Sequence, residues 1–152
     1  GKKDEVFLRP KSRKVAQFLG AKNLYRAKTV RKEELDHQWI LEVNGLQFSI
    51  PVSFHQEKME IGKEVDLFIR PDEVMIIREG KPVKDSLKQN IFEGEIVDII
   101  DRGRYHTVYF QAMEGNIPFE ISIPNYAFRN LDLTVRKRVR AALREESLWV
   151  MP

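Results

Sequence analysis

Cysteine is absent from these 152 residues. Its absence removes disulfides, thiolate metal sites and thiol nucleophiles together, and is compatible with a cytosolic protein. Long apolar runs are missing too. Nothing approaches the roughly 20 residues a membrane span needs, and the N-terminal stretch has no signal-peptide core. Glycine is sparse, eight residues dispersed at turns. No phosphate-loop, dinucleotide or nucleophile-elbow spacing occurs among them. Neither sign of charge is in large excess: 26 basic against 23 acidic residues leave +3. That balance does not argue for nucleic acid, and the basic clusters at 2–14 and 136–144 read as solvated faces. What is present, 42% apolar and 32% charged residues, describes a soluble globular chain. Its length suits one ordinary domain or two small ones packed together.

The first twenty residues differ from the rest. Pro10 suits the first turn of a helix, and Val15, Ala16, Phe18 and Leu19 share one apolar side. Gly20 is a helix stop. These signals predict a helix over Lys11 to Leu19, with a helical turn before it at Asp4 to Leu8. So short a helix is marginal alone in water and must pack on something.

From residue 21 the pattern turns to strands, and it does so twice. Gln38 to Val43 alternates, Asn44-Gly45 is a hairpin signal, and Leu46, Phe48 and Ile50 lead to Pro51. After the Ile61-Gly62 turn, Val65, Leu67 and Ile69 alternate, and Val74 to Ile77 closes the set before the Gly80 to Lys84 boundary. The second half repeats this order. Asn90-Ile91-Phe92 and Gly94 answer Asn23-Leu24-Tyr25 and Ala27, and Val97 answers Val30. Thr107 to Ala112 is the second strand, and Glu114-Gly115 sits where Asn44-Gly45 sat. Phe119, Ile121 and Ile123 lead to Pro124 as Leu46, Phe48 and Ile50 led to Pro51. Val139, Ala141 and Leu143 answer Val65, Leu67 and Ile69, and Leu148 to Val150 answers Val74 to Ile76. The offset drifts from 67 to 74 along the way. Helix propensity alone would make Val135 to Arg144 a helix, but the repeat makes it a strand. Five short strands per copy with tight turns predict a mainly β fold of two tandem OB-like barrels. One such unit has a thin core, so two should share a core or swap strands.

Chemistry is harder to find. His37 and His106 fall at matching places just before a core strand, and neither they nor His55 has a second histidine at metal-ligand spacing. The acidic pairs Asp72-Glu73 and Glu145-Glu146 also match, which reads as solvated turn residues rather than an acid–base pair. No catalytic residue is predicted. An OB-like unit also suggests a stand-alone binder of single-stranded nucleic acid, with Tyr25, Phe92, Tyr105, Tyr109, Phe110 and Phe128 as stacking aromatics. Several of these occupy inward places in the alternation, where core packing is the simpler reading.

Glu5-Val6-Phe7, Arg9-Pro10, Val15-Ala16 and Phe18-Leu19-Gly20 resemble the segment that follows the nucleotide-binding domain in ABC-importer ATPases. Ile69-Arg70-Pro71-Asp72-Glu73-Val74 resembles the "IRPEDV" signature of their C-terminal regulatory region. Asn90, Gly94 and Ile96, with Val139, Ala141 and Leu143, look like a Mop/TOBE unit of the molybdate-binding kind. The resemblance implies that residues 1–20 form a connector from a nucleotide-binding domain, 21–80 the first OB-like unit and 81–152 the second. It implies a regulatory domain, itself not an enzyme, of a cytoplasmic ATPase subunit lying against membrane permease subunits. ATP and Mg would belong to the nucleotide-binding domain. A second copy of the subunit would be the partner, and nucleic acid would not. In molybdate- and tungstate-type members an oxyanion bound by this domain shuts transport down; maltose-type members receive an inhibitory protein there. The implied oxyanion residues are Ser86, Lys88, Asn90 and Arg144. Leu87 and Gln89 occupy places where the Mop pattern has serine and arginine, and the acidic pair Glu145-Glu146 follows Arg144.

Overall fold

The computed structural model describes residues 12–18, 20, 22–53, 59–81 and 90–151. The turn expected at Asp4 to Leu8, most of the Gly80 to Lys84 boundary, His55, Ser86 and Lys88 lie outside that set. Among the described residues ten strands and two short α-helices follow one another: α1 (Arg13–Phe18), β1 (Leu24–Glu33), β2 (Gln38–Val43), β3 (Leu46–Pro51), β4 (Glu64–Ile69), β5 (Val74–Ile76), β6 (Ile91–Asp101), β7 (Tyr105–Ala112), β8 (Pro118–Pro124), α2 (Asn125–Phe128), β9 (Arg138–Leu143) and β10 (Leu148–Met151). The fold is mainly β, with two barrel-like sheets consistent with tandem OB-like units. The 138–143 segment is a strand, as the repeat predicted, because its partner β6 requires the alternation that propensity ignores.

Each half supplies five strands, but neither sheet keeps all five of its own. The sheets run β10-β4-β1-β2-β3 and β5-β9-β6-β7-β8. The last strand of the first half therefore pairs with β9, through Val74↔Leu143 and Ile76↔Ala141. The last strand of the second half pairs with β4, through Leu148↔Ile69 and Val150↔Leu67. This reciprocal exchange is the swap that thin cores call for. The core is shared as well: one cluster holds Leu41, Phe48 and Leu67 from the first half with Phe110, Phe119 and Leu143 from the second.

The pairing registers define which residues of the two halves match. Thr29 pairs with Leu41 as Ile96 pairs with Phe110, Leu41 with Phe48 as Phe110 with Phe119, and Leu24 with Phe68 as Ile91 with Ala142. The first, second, fourth and fifth strands match as the sequence predicted. The third does not: Phe48 and Ile50 answer Phe119 and Ile121, not Ile121 and Ile123. Matching the strands at Pro51 and Pro124 misleads because β7 and β8 run further than β2 and β3 before their sheet ends. Val30 and Val97, equivalent in the sequence echo, are the extra residues of matched bulges, between Thr29 and Arg31 and between Ile96 and Asp98.

Asn44 and Gly45 both have positive φ, 52° and 91°, the geometry that fits a two-residue hairpin to twisted strands. Helix α1 covers Arg13–Phe18 of the expected Lys11 to Leu19, whose two end residues lie outside the described set, and Gly20 follows at φ 74°. As its length demanded, it packs: Ala16 is fully buried in a small cluster with Phe68 and Met151. Arg13 Nη1 meets Asp66 Oδ1 at 2.9 Å, and Arg26 reaches the same oxygen at 3.3 Å.

Candidate functional site

The two halves meet through asparagine side chains that the sequence had paired. Strands β3 and β8 end their sheets, so each would present unpaired backbone groups along one edge. Asn90, just before β6, accepts from the Ser49 N–H at 2.8 Å and donates to the Ser49 carbonyl at 2.9 Å. Asn23, just before β1, does the same to Glu120, at 2.7 Å and 2.8 Å. Each amide thus completes the edge strand of the other half as a backbone residue would. Asparagine suits the place because its amide carries an acceptor and a donor side by side. Asn23 has a positive φ of 44°, which asparagine tolerates better than most residues.

Aromatic rings repeat the cross-over. Tyr25 packs on Phe119 with centroids 5.5 Å apart, and its match Phe92 packs on Phe48, the match of Phe119, at 5.1 Å. The Tyr25 hydroxyl donates to the Pro118 carbonyl, and burial raises its pKa well above that of a free phenol. Tyr25, Phe92 and Phe110 are thus core residues, at 9%, 5% and 1% exposure. Tyr105 is exposed, and Tyr109 and Phe128 are partly so.

Two clefts open beside this seam. One of about 370 Å³ is lined by Leu46 and Gln47 of β3, by Ile91, Phe92 and Glu93 of β6, and by Met113 and Glu114. Among the described residues its ionisable side chains are Glu93 and Glu114, and both disfavour an anion. The other, about 220 Å³, has an apolar floor that includes Leu131, Leu133 and Val139 and a charged rim of Lys137, Arg138, Arg140, Glu79 and Glu93. Lys137 Nζ is held by the Asp132 carbonyl at 2.8 Å.

The expected oxyanion residues divide accordingly. Ser86 and Lys88 are outside the described residues. Asn90 is 1% exposed with both amide atoms engaged on Ser49. Arg144 is exposed and lies close by along the backbone, because the Leu143 N–H donates to the Asn90 carbonyl at 3.0 Å. The adjacent Glu145 has a raised pKa: burial is the main cause, opposed by a hydrogen bond from Gln38 and assisted by the Glu146 charge. Arg70, the match of Arg144, pairs with Asp72 at 2.7 Å.

His37 sits exposed in a turn. The ring of His106 stacks on Phe128 at 3.8 Å, with Nδ1 2.9 Å from Asn125 Oδ1. Among the described residues no group of three metal-ligating side chains converges, and no helix is long and apolar enough to cross a membrane. Sequence reasoning had the Asn23/Asn90 echo but could not assign its partners, because Ser49 and Glu120 use backbone atoms and leave no side-chain signal.

The clamp gives a direct prediction. In Asn90→Ala both Ser49 backbone groups lose their partner, which should destabilise the protein by about 2–3 kcal/mol. Urea denaturation would read this as a lower midpoint with an unchanged slope.

No family model matches the sequence. Curated relatives do. The spermidine/putrescine import ATP-binding protein PotA of Mycoplasmopsis synoviae is 25% identical over 124 residues, 81% of this chain and 24% of the relative. The molybdate/tungstate import ATP-binding protein WtpC of Pyrococcus horikoshii is 28% identical over 148 residues, 97% of this chain and 37% of the relative. WtpC of Thermococcus kodakarensis is 34% identical over 92 residues, 60% of this chain and 23% of the relative. The chain thus spans between about a quarter and somewhat over a third of these relatives. Among solved structures, the cytoplasmic molybdate-binding protein ModG with molybdate bound superposes with a TM-score of 0.70 at 16% identity, covering 87% of this chain and 97% of ModG. The homologues of this chain are therefore ATP-binding subunits of ABC importers, and its fold is the tandem β fold of a molybdate-binding protein.

Proposed function

We propose that this chain is the C-terminal regulatory region of an ABC-importer ATP-binding subunit, which controls import by associating with the same region of a second subunit. The observation that carries this reading is the reciprocal strand exchange. It ties the two sheets to each other, which supports the transmission of a contact on one half to the other that a regulatory element between two ATPase subunits needs. In this reading the region has no catalysis of its own, and ATP and Mg belong to a nucleotide-binding domain elsewhere in the protein. The complete subunit works in the cytoplasm against membrane permease subunits. This reading does not include nucleic acid as a partner, and burial of Tyr25, Phe92 and Phe110 supports it by taking away half of the aromatics named for a stacking surface.

The effector in this reading is an oxyanion such as molybdate or tungstate, held by Ser86, Lys88 and Arg144, while Asn90, buried with both amide atoms on Ser49, fixes the backbone beside them rather than touching the ion. The backbone bond between Asn90 and Leu143 supports it by bringing Arg144 beside the Asn90 clamp. Bound there, a dianion would stiffen the junction of β6 and β9 against β3. A second effector class is favoured by one observation: the acid-lined cleft at Glu93 and Glu114 suits a cation. Calorimetry on the purified chain with molybdate, tungstate, sulfate and spermidine separates the two. Heat with molybdate or tungstate, reduced in Arg144→Ala, is the expected result. No heat with any oxyanion at millimolar concentration would remove that effector and leave the regulatory role standing, and heat with spermidine alone would move the effector to the cleft.

A further inference from the structure

The turns at matched ends of the two halves carry opposite charge. Between β1 and β2 the tip reads Glu33-Glu34-Leu35-Asp36, and Leu35 is 97% exposed. Arg31 and Lys32, on the strand below, pair with Glu33 at 2.7 Å and Glu34 at 4.0 Å. The equivalent turn between β6 and β7 carries Arg102 and Arg104 and runs into Tyr105. Helix α2 lies against it: the Asn125 amide group donates to the Gly103 carbonyl at 2.6 Å, and the Asn125 N–H points to the Arg104 carbonyl at 3.4 Å. That contact places Tyr126 and Arg129 beside the turn. Arg129 bonds the Asn125 carbonyl through Nε at 3.3 Å. Tyr126 is 71% and Tyr105 43% exposed. Asp101 stands at the edge of this basic end, facing His106 at 4.0 Å.

An exposed leucine among carboxylates in one turn, and exposed tyrosines beside arginines at the other, are complementary in charge. Tyrosine and arginine are the side chains that most often anchor protein interfaces. We propose that a second copy of this chain docks its Leu35 tip on the Tyr105/Tyr126 surface. Glu34 and Asp36 then face Arg104 and Arg129, a contact between unlike surfaces of the two copies. This deepens the proposed subunit association, on which it rests, by naming the surface. The contact is small, so the pairing is weak and reversible, and it loosens with salt because its charges are exposed.

Sedimentation velocity of the intact chain over a concentration series, at low and high salt, tests it. Self-association that weakens with salt is expected. Arg104→Glu/Arg129→Glu, and separately Glu34→Lys/Asp36→Lys, should each lower the association constant by at least about tenfold. Mixing the two variants should restore it, since every contact in the mixed pair is again between opposite charges. Circular dichroism keeps the test sound by showing that each variant remains folded. Association that neither reversal changes, or folded variants that fail to restore it on mixing, would overturn this surface and leave subunit association intact. A chain that stays monomeric throughout would overturn both.

Discussion

Removing residues 148–152 is expected to unfold the first sheet, although the deletion falls at the far end of the second half. Strand β10 is the outermost strand of the first sheet, paired with β4 from Leu148↔Ile69 to Met151↔Asp66. Leu148, Val150 and Met151 are 1%, 0% and 0% exposed. At roughly 1.5–3 kcal/mol for each fully buried apolar side chain, their loss removes on the order of 5–9 kcal/mol before the ladder bonds are counted. A domain has about 5–15 kcal/mol in total. The deletion also strips Met151 from the face where Ala16 docks. The chain has two tryptophans, Trp39 and Trp149, so the truncated protein keeps Trp39 alone as a reporter inside the first sheet. Its fluorescence should match that of the chain in denaturant and show no cooperative transition. A native Trp39 signal that melts cooperatively would mean that the first half is complete without β10.

Gly94→Ala should cost about 3 kcal/mol, the upper end of what a single added methyl group does in a packed interior. A Cβ built on Gly94 would lie 2.3 Å from the Gln111 carbonyl oxygen and 2.4 Å from the Phe110 ring. The first of these atoms is backbone in the paired strand and cannot turn aside. The other half shows how the same place is filled differently. Ala27 matches Gly94, and Leu41 matches Phe110, so the methyl group and the larger ring are alternative occupants of one space. Phe110→Leu in the Gly94→Ala background should therefore recover part of the loss, and the two substitutions should be strongly non-additive in urea denaturation. Simple additivity would show that the ring and the glycine do not share that space.

The echo between residues 22–30 and 89–97 was legible because the repeat keeps the residues with tight local demands. Asn23 and Asn90 clamp an edge, Gly94 sits under the Phe110 ring and its match Ala27 is buried, and Val30 and Val97 mark the bulge. The hairpin at Asn44-Gly45 was equally plain, since its positive φ values select those residues. Which strand pairs with which was not legible. Val74–Ile76 and Leu148–Met151 carry the same apolar pattern whether they close their own sheet or the other one, because both cores accept it. The match of β3 with β8 slipped by two residues for a related reason: alternation fixes which face a residue takes but not its place along the strand. The candidate site was the least legible of all. A side chain that serves a distant backbone, as Asn90 serves Ser49, looks in sequence like one that serves a ligand.

Strand exchange makes a single folding unit out of what the sequence writes twice, and native-state hydrogen exchange in rising denaturant tests that most directly. The slowest amides of β1 and β4 in the first sheet and of β6 and β9 in the second should exchange through one common opening, with equal free energy and equal denaturant dependence. Two groups of amides with different opening free energies, one sheet exchanging while the other stays protected, would contradict it.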